Sequence, residues 1–123
     1  DSAAGINYVV DVTKPAGQRV NITTMADGTP FDEARHYRVA VNSYRAAGGG
    51  GLLTNGAGIE KAKLEDRIVW RGDHTLRDYI IEYVRTKGKV EVAPHNNWSF
   101  VPAEWTVPAA QRDRLLLFPD EKK

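Results

Sequence analysis

No cysteine occurs anywhere in the chain, which excludes disulfides and thiolate metal sites and leaves the redox compartment open. No apolar run approaches the roughly 20 residues that a membrane-crossing helix needs. Charge of one sign is also lacking: 17 basic residues stand against 16 acidic ones, a formal net charge of +1, and no basic stripe of the kind that grips duplex nucleic acid is present. Internal repeats and low-complexity linkers are absent too. The chain opens at Asp1-Ser2-Ala3-Ala4-Gly5, with neither an initiator Met nor a signal-peptide pattern. This suggests a processed or truncated piece of a longer polypeptide.

What is present fits one compact domain of 123 residues, with about two-fifths of the chain apolar and about a quarter charged. Ile6, Tyr8, Val10 and Val12 alternate with other residues at the period of a half-buried strand. Lys14-Pro15-Ala16-Gly17 interrupts the chain, and a second run over Arg19–Met25 puts Val20, Ile22 and Thr24 on one face. Together they predict a hairpin or meander. Tyr37, Val39 and Val41 form a third alternating run, leading into four consecutive glycines, Gly48–Gly51, that cannot lie inside a stable helix or strand. Residues 59–70 fit neither period and predict a loop with a short strand or turn. Leu76, Tyr79, Ile80, Tyr83 and Val84 recur at helical spacing, with Thr75 and Asp78 as a capping box, Asp73 as a rival cap and Gly88 as the stop. Val90 and Val92 suggest a short strand, Trp98 and Phe100 another ending at Pro102, and Ala109–Leu117 a last short helix. The tail from Pro119 to Lys123 is expected to fray. Strands early and the main helix late favour an α+β fold over a βαβ series.

Candidates for chemistry are few. A hydrolytic dimetal centre needs several His and Asp ligands converging on ions roughly 3.5–4 Å apart. His36, His74 and His95 are distant in sequence and form no Asp-x-His pair, and Gly72-Asp73-His74 is better read as a helix start. Ser43 has no nucleophile elbow around it. The glycine run has neither the P-loop spacing nor the dinucleotide fingerprint. Glycines at a strand end do let backbone approach a ligand closely, and Tyr44 beside them offers a flat stacking face for a planar ligand. The alternative for Tyr44 is a boundary aromatic at a strand end. Trp98, Tyr79 and Tyr83 read as core aromatics, and Arg38, Arg71 and Arg77 serve as well for solvated surface charge as for a phosphate.

The run Tyr37-Arg38-Val39-Ala40-Val41-Asn42-Ser43-Tyr44-Arg45-Ala46-Ala47-Gly48-Gly49 resembles the signature of the 5′-nucleotidase C-terminal domain family. Gly5-Ile6-Asn7-Tyr8, Asp27-Gly28 with Pro30, Leu76-Arg77-Asp78-Tyr79-Ile80 and Asn96-Asn97-Trp98-Ser99-Phe100 match other family segments. The last is closer to the 2′,3′-cyclic-nucleotide phosphodiesterase/3′-nucleotidase branch. The resemblance covers most of Gly5 to Pro102. It implies a layered α+β domain, truncated at its N-terminus, that forms the substrate-binding half of a secreted or periplasmic phosphohydrolase. In such enzymes two divalent metal ions sit in a separate metallophosphatase domain, and domain rotation brings the bound nucleotide to them.

By that resemblance the present chain holds no cofactor, contacts a nucleotide or nucleoside and a metallophosphatase domain or subunit, and is inactive alone. Tyr44 is one of two rings that sandwich the base, and Asn42, Gly48, Gly49 and Gly50 shape the same pocket. Three departures are visible. The family's second stacking aromatic and its phosphate-contacting arginines lie in upstream segments that this chain lacks, and Gly50 stands where an Asp often follows the Gly-Gly pair. The incomplete clamp predicts weak binding by the chain as it stands. A second reading is a non-catalytic nucleoside-binding or protein-interaction module.

Overall fold

The structure, a computed structural model, describes residues 2–119. They form an α+β fold whose chain divides into two compact units, one made of the residues up to Arg35 with those from Pro94 onward, the other of His36–Ala93. Residues 120–123, on which most of the expected frayed tail falls, lie outside the described residues.

The first unit is built on strands β1 (Ile6–Asp11), β2 (Val20–Met25) and β3 (Trp98–Val101), in the order β2-β1-β3. β1 and β2 form the expected antiparallel pair, while β3, far away in sequence, joins β1 in parallel. The register opposes Ile6 to Met25 and Asn7 to Thr24, then shifts so that Tyr8 opposes Ile22 and Val10 opposes Val20. Thr23 is therefore an extra residue in β2, a bulge. Its hydroxyl donates to the Asn7 carbonyl at 3.0 Å, and the Asn7 amide donates to Thr24 Oγ1 and the Met25 carbonyl. Opposed residues share a face, so Met25 lies with Ile22 and Val20, and Thr24 turns to the other face, a one-residue correction to strict alternation.

The connection from β1 to β2 is an Asx-type turn. Thr13 donates through its hydroxyl and backbone N–H to Asp11 Oδ1, at 2.6 and 2.9 Å, which holds the Asp11 carboxyl below its ordinary range. Tyr8, 9% exposed, is the buried residue of this unit. Its ring stacks on Trp98 with centroids 6.0 Å apart, and Trp98 and Phe100 meet edge to face with centroids 5.1 Å apart. The Asn97 side chain donates to the Ala3 and Ile6 carbonyls, at 2.7 and 2.8 Å, and so fastens the start of β3 to the start of β1. The Asn-Asn-Trp segment thus closes the sheet.

Helix α3 is longer than the sequence suggested. It spans Ala103–Leu117, where the sequence predicts Ala109–Leu117, beginning directly after Pro102 and running through Pro108. Pro108 lies in the second turn, where it forfeits a single backbone bond to Glu104.

The second unit holds helices α1 (Ser43–Ala46) and α2 (Leu76–Lys87). The strands expected at 37–41 and 90–92 do not form: residues 36–42 and 89–97 have no regular structure. A strand exists only by pairing, and among the described residues no neighbour takes up the ladder of either run, so Val39 stands 77% exposed. The ambiguous stretch from 59 to 70 holds two short 3₁₀ turns, Lys61–Lys63 and Glu65–Arg67, with Leu64 buried between them.

α2 follows its sequence signals closely. Thr75 and Asp78 exchange side-chain and backbone hydrogen bonds as a capping box, and the Gly88 N–H reaches the Val84 carbonyl at φ +68°. The Thr75 hydroxyl and N–H hold the Asp78 carboxyl below its ordinary range. The expectation that Tyr79 and Tyr83 belong to a core is not met. Tyr83 is exposed beside Lys87, together with Leu76, Ile80 and Val84, and Tyr79 is half-buried. Amphipathic spacing states which residues share a face, while burial also needs something to cover that face, and no residue of α2 is buried.

Candidate functional site

The segment from Asn42 to Gly56 is built as a chain of tight turns. Asn42 caps α1: its Oδ1 accepts from the Arg45 N–H at 2.9 Å. This fixes the entry to the single helical turn that carries Ser43, Tyr44 and Arg45. Ala47 closes the turn and Gly48, at φ +89°, reverses the chain in the left-handed region where only glycine is unstrained. Gly49–Gly51 make a 3₁₀ turn with Gly50 and Gly51 both at φ +70°, and Leu52–Gly56 wind into one wide π turn. A β-carbon added to Gly48 would lie 3.1 Å from Leu64 Cδ1 and 3.4 Å from Thr54 Cγ2. The buried Leu64 is therefore the floor on which the loop rests.

The backbone of Gly49 and Gly50 is covered. The space over them is filled by the two side chains just upstream. A β-carbon on Gly49 would fall 2.5–2.6 Å from Cε2, Cδ2 and Cζ of Tyr44. Nearly equal distances to three successive ring atoms put that position above the ring face, so the phenol lies flat against Gly49. A β-carbon on Gly50 would overlap Nη1 of Arg45. The Arg45 guanidinium donates to the Gly49 carbonyl at 3.2 Å and sits 5.5 Å from the centroid of the Tyr44 ring. With one face seated on Gly49, Tyr44 remains 62% exposed. Tyr44 is thus an exposed ring packed beside glycine backbone.

Of the residues singled out from sequence, Asn42, Tyr44, Gly48, Gly49 and Gly50 are thus brought together in one turn structure. Arg45 belongs with them and was missed. Its signal was its spacing, since a long cationic side chain at the end of a helical turn, four residues before Gly49, can fold back over a stretch that offers no side chains of its own. The other candidates lie elsewhere. Arg71 is paired with Glu65. The Tyr79 hydroxyl donates to Asp73 Oδ1 at 2.7 Å, which lowers the Asp73 carboxyl and raises the Tyr79 phenol, and the His74 and Tyr79 rings meet in a T-shaped arrangement. Gly72-Asp73-His74 is a local turn tied to α2, and Asp73 does not cap that helix. Among the described residues no group of three or more His, Asp or Glu side chains converges as metal ligands would. The donors among the described residues do not fit a dimetal centre. No helix of the described residues is long and apolar enough to cross a membrane.

Residues 2–57 match the family described as 5′-nucleotidase, C-terminal domain, which places that segment in the family. It is 35% identical over 119 residues to the trifunctional nucleotide phosphoesterase protein YfkN of Bacillus subtilis, a match that covers 86% of this chain and 8% of that protein. It is 30% identical over 115 residues to the 2′,3′-cyclic-nucleotide 2′-phosphodiesterase/3′-nucleotidase of Haemophilus influenzae, covering 83% of this chain and 16% of the relative. The enzyme of the same description from Salmonella typhimurium is also 30% identical, over 83% of this chain and 17% of its own length. The chain therefore spans less than a fifth of the length of these relatives. No solved structure matches it.

Proposed function

We propose that this chain is the nucleoside-recognition part of a metal-dependent phosphohydrolase acting on nucleotide phosphoesters, in the periplasm or outside the cell. Tyr44 is the platform for the base, Asn42 and Gly48 to Gly50 hold that platform in place, and the two divalent ions reside in a separate metallophosphatase domain. The observation that carries this reading is the Tyr44 ring, backed on one side by Gly49 and with the residue as a whole 62% exposed. A planar base laid on such a ring gains contact on a surface that is already fixed, so little ordering cost is left to offset. The relatives' names, all nucleotide phosphoesterases or phosphodiesterases, support the substrate class.

What this chain does in the reaction is bind and orient. It holds the nucleoside end by stacking, which fixes the position of the phosphoester relative to wherever hydrolysis takes place. The test compares the full-length protein with residues 1–123 alone on a panel of 5′-, 3′- and 2′,3′-cyclic nucleotides with added manganese. The full-length protein is expected to release phosphate or open the cyclic ester, and the isolated chain to do neither. Turnover by the isolated chain, or binding of nucleosides by a full-length protein without any hydrolytic activity, contradicts the proposal; the latter result favours a purely binding module.

A further inference from the structure

We infer that Arg45 is a positioning residue for the stacking ring, holding Tyr44 flat on Gly49 in the orientation that receives a base. The inference rests on the reading of Tyr44 given above. Two of the contacts made by the Arg45 side chain converge on the same object. Its guanidinium donates to the carbonyl of Gly49, the residue on which the Tyr44 ring lies, and its charge stands 5.5 Å from the centroid of that ring. It also fills the space over Gly50, where a β-carbon would overlap Nη1, so Gly50 is the clearance that lets the guanidinium cross the loop.

The geometry solves a problem that the turn creates. An exposed ring on a single helical turn has little to stop it from rotating about χ1 and χ2, because α1 offers no second turn to pack against. Gly49 supplies a seat without supplying any restraint of its own. Arg45 supplies the restraint, since one long side chain grips the seat by a hydrogen bond and the ring by cation–π attraction. The Asn42 cap completes the device by fixing the Arg45 backbone N–H, so the residue is held at both its main chain and its side-chain end. The planar guanidinium suits this double role better than an ammonium would.

The experiment measures adenosine binding by titration calorimetry in the full-length protein and in its Arg45→Met, Arg45→Lys, Tyr44→Ala and Tyr44→Ala/Arg45→Met variants, with melting temperatures to confirm folding. Methionine keeps the length of the stem and removes the charge and donors. Loss of an exposed cation–π contact corresponds to about a two- to fivefold rise in Kd for Arg45→Met. Arg45→Lys restores part of that loss. In the Tyr44→Ala background Arg45→Met has no further effect, because there is no ring left to position. A merely structural role would instead lower the melting temperature and leave a loss of similar size in both backgrounds. If Tyr44→Ala weakens binding and Arg45→Met does not, or if the Arg45→Met effect persists without the ring, the positioning role is overturned while the stacking platform stands. If Tyr44→Ala itself leaves adenosine binding unchanged, both fall.

Discussion

Replacing Tyr44 with alanine in the full-length protein raises KM for nucleotide substrates by about 5- to 150-fold, the factor that corresponds to the roughly 1–3 kcal/mol a base gains by stacking on an aromatic ring. The catalytic constant changes little, because a contact to the base is made equally in the ground state and the transition state. Stability is not the cause of the loss. Tyr44 is 62% exposed and lies on a glycine, so its removal opens no cavity and uncovers little apolar surface. Tyr44→Phe keeps the flat face and should retain nearly all of the wild-type KM. Steady-state kinetics on one good substrate, with the two variants side by side, decides the matter. A KM for Tyr44→Ala within about twofold of wild type would deny the ring its role.

Gly49→Ala is expected to weaken substrate binding nearly as much as the loss of the ring itself. The reason is specific to this glycine. Gly48, Gly50 and Gly51 have φ between +70° and +89°, so alanine there is strained whatever surrounds it. Gly49 is not in that region, and its backbone accepts alanine without strain. The cost of the added methyl is steric, because it would lie 2.5–2.6 Å from three atoms of the Tyr44 ring, closer than real contacts allow. Overpacking of this kind costs about 1–3 kcal/mol where the neighbours cannot move. Here the neighbour is an exposed ring, so the ring lifts and the platform is lost while the fold stays intact. The double variant Tyr44→Ala/Gly49→Ala is then no worse than Tyr44→Ala alone. Additive losses in KM, or a large fall in melting temperature for Gly49→Ala that disappears from neither background, would show that Gly49 acts on the loop and not on the ring.

Much of this arrangement is written in local sequence, and the exceptions have identifiable causes. β1 and β2 were legible from alternation, and α2 from Thr75, Asp78 and Gly88, because strand period and helix caps depend on neighbours within a few residues. The bulge at Thr23 was not legible, since it is a property of the pairing with Asn7 and Tyr8 and not of β2 itself. The runs at 37–41 and 90–92 have strand composition and no partner, a matter decided by the rest of the fold. α3 starts at Ala103 because Pro102 ends β3 without preventing a helix immediately after it, and Pro108 is absorbed. At the site, the motif from Tyr37 to Gly49 marked the turn in which Asn42, Tyr44 and Gly48 to Gly50 come together. It could not show that the glycines are occupied by Tyr44 and Arg45, because that packing follows from left-handed φ angles at Gly48, Gly50 and Gly51 which sequence permits without requiring.

The whole account depends on an outward-facing phenol that receives the base. The most direct measurement is a crystal structure of the full-length protein grown with adenosine. The expected result is an adenine plane parallel to Tyr44 on the face opposite Gly49, at a contact separation of about 3.5–4.0 Å. Adenosine bound with its base away from Tyr44, and that ring face still bare to solvent, would contradict it.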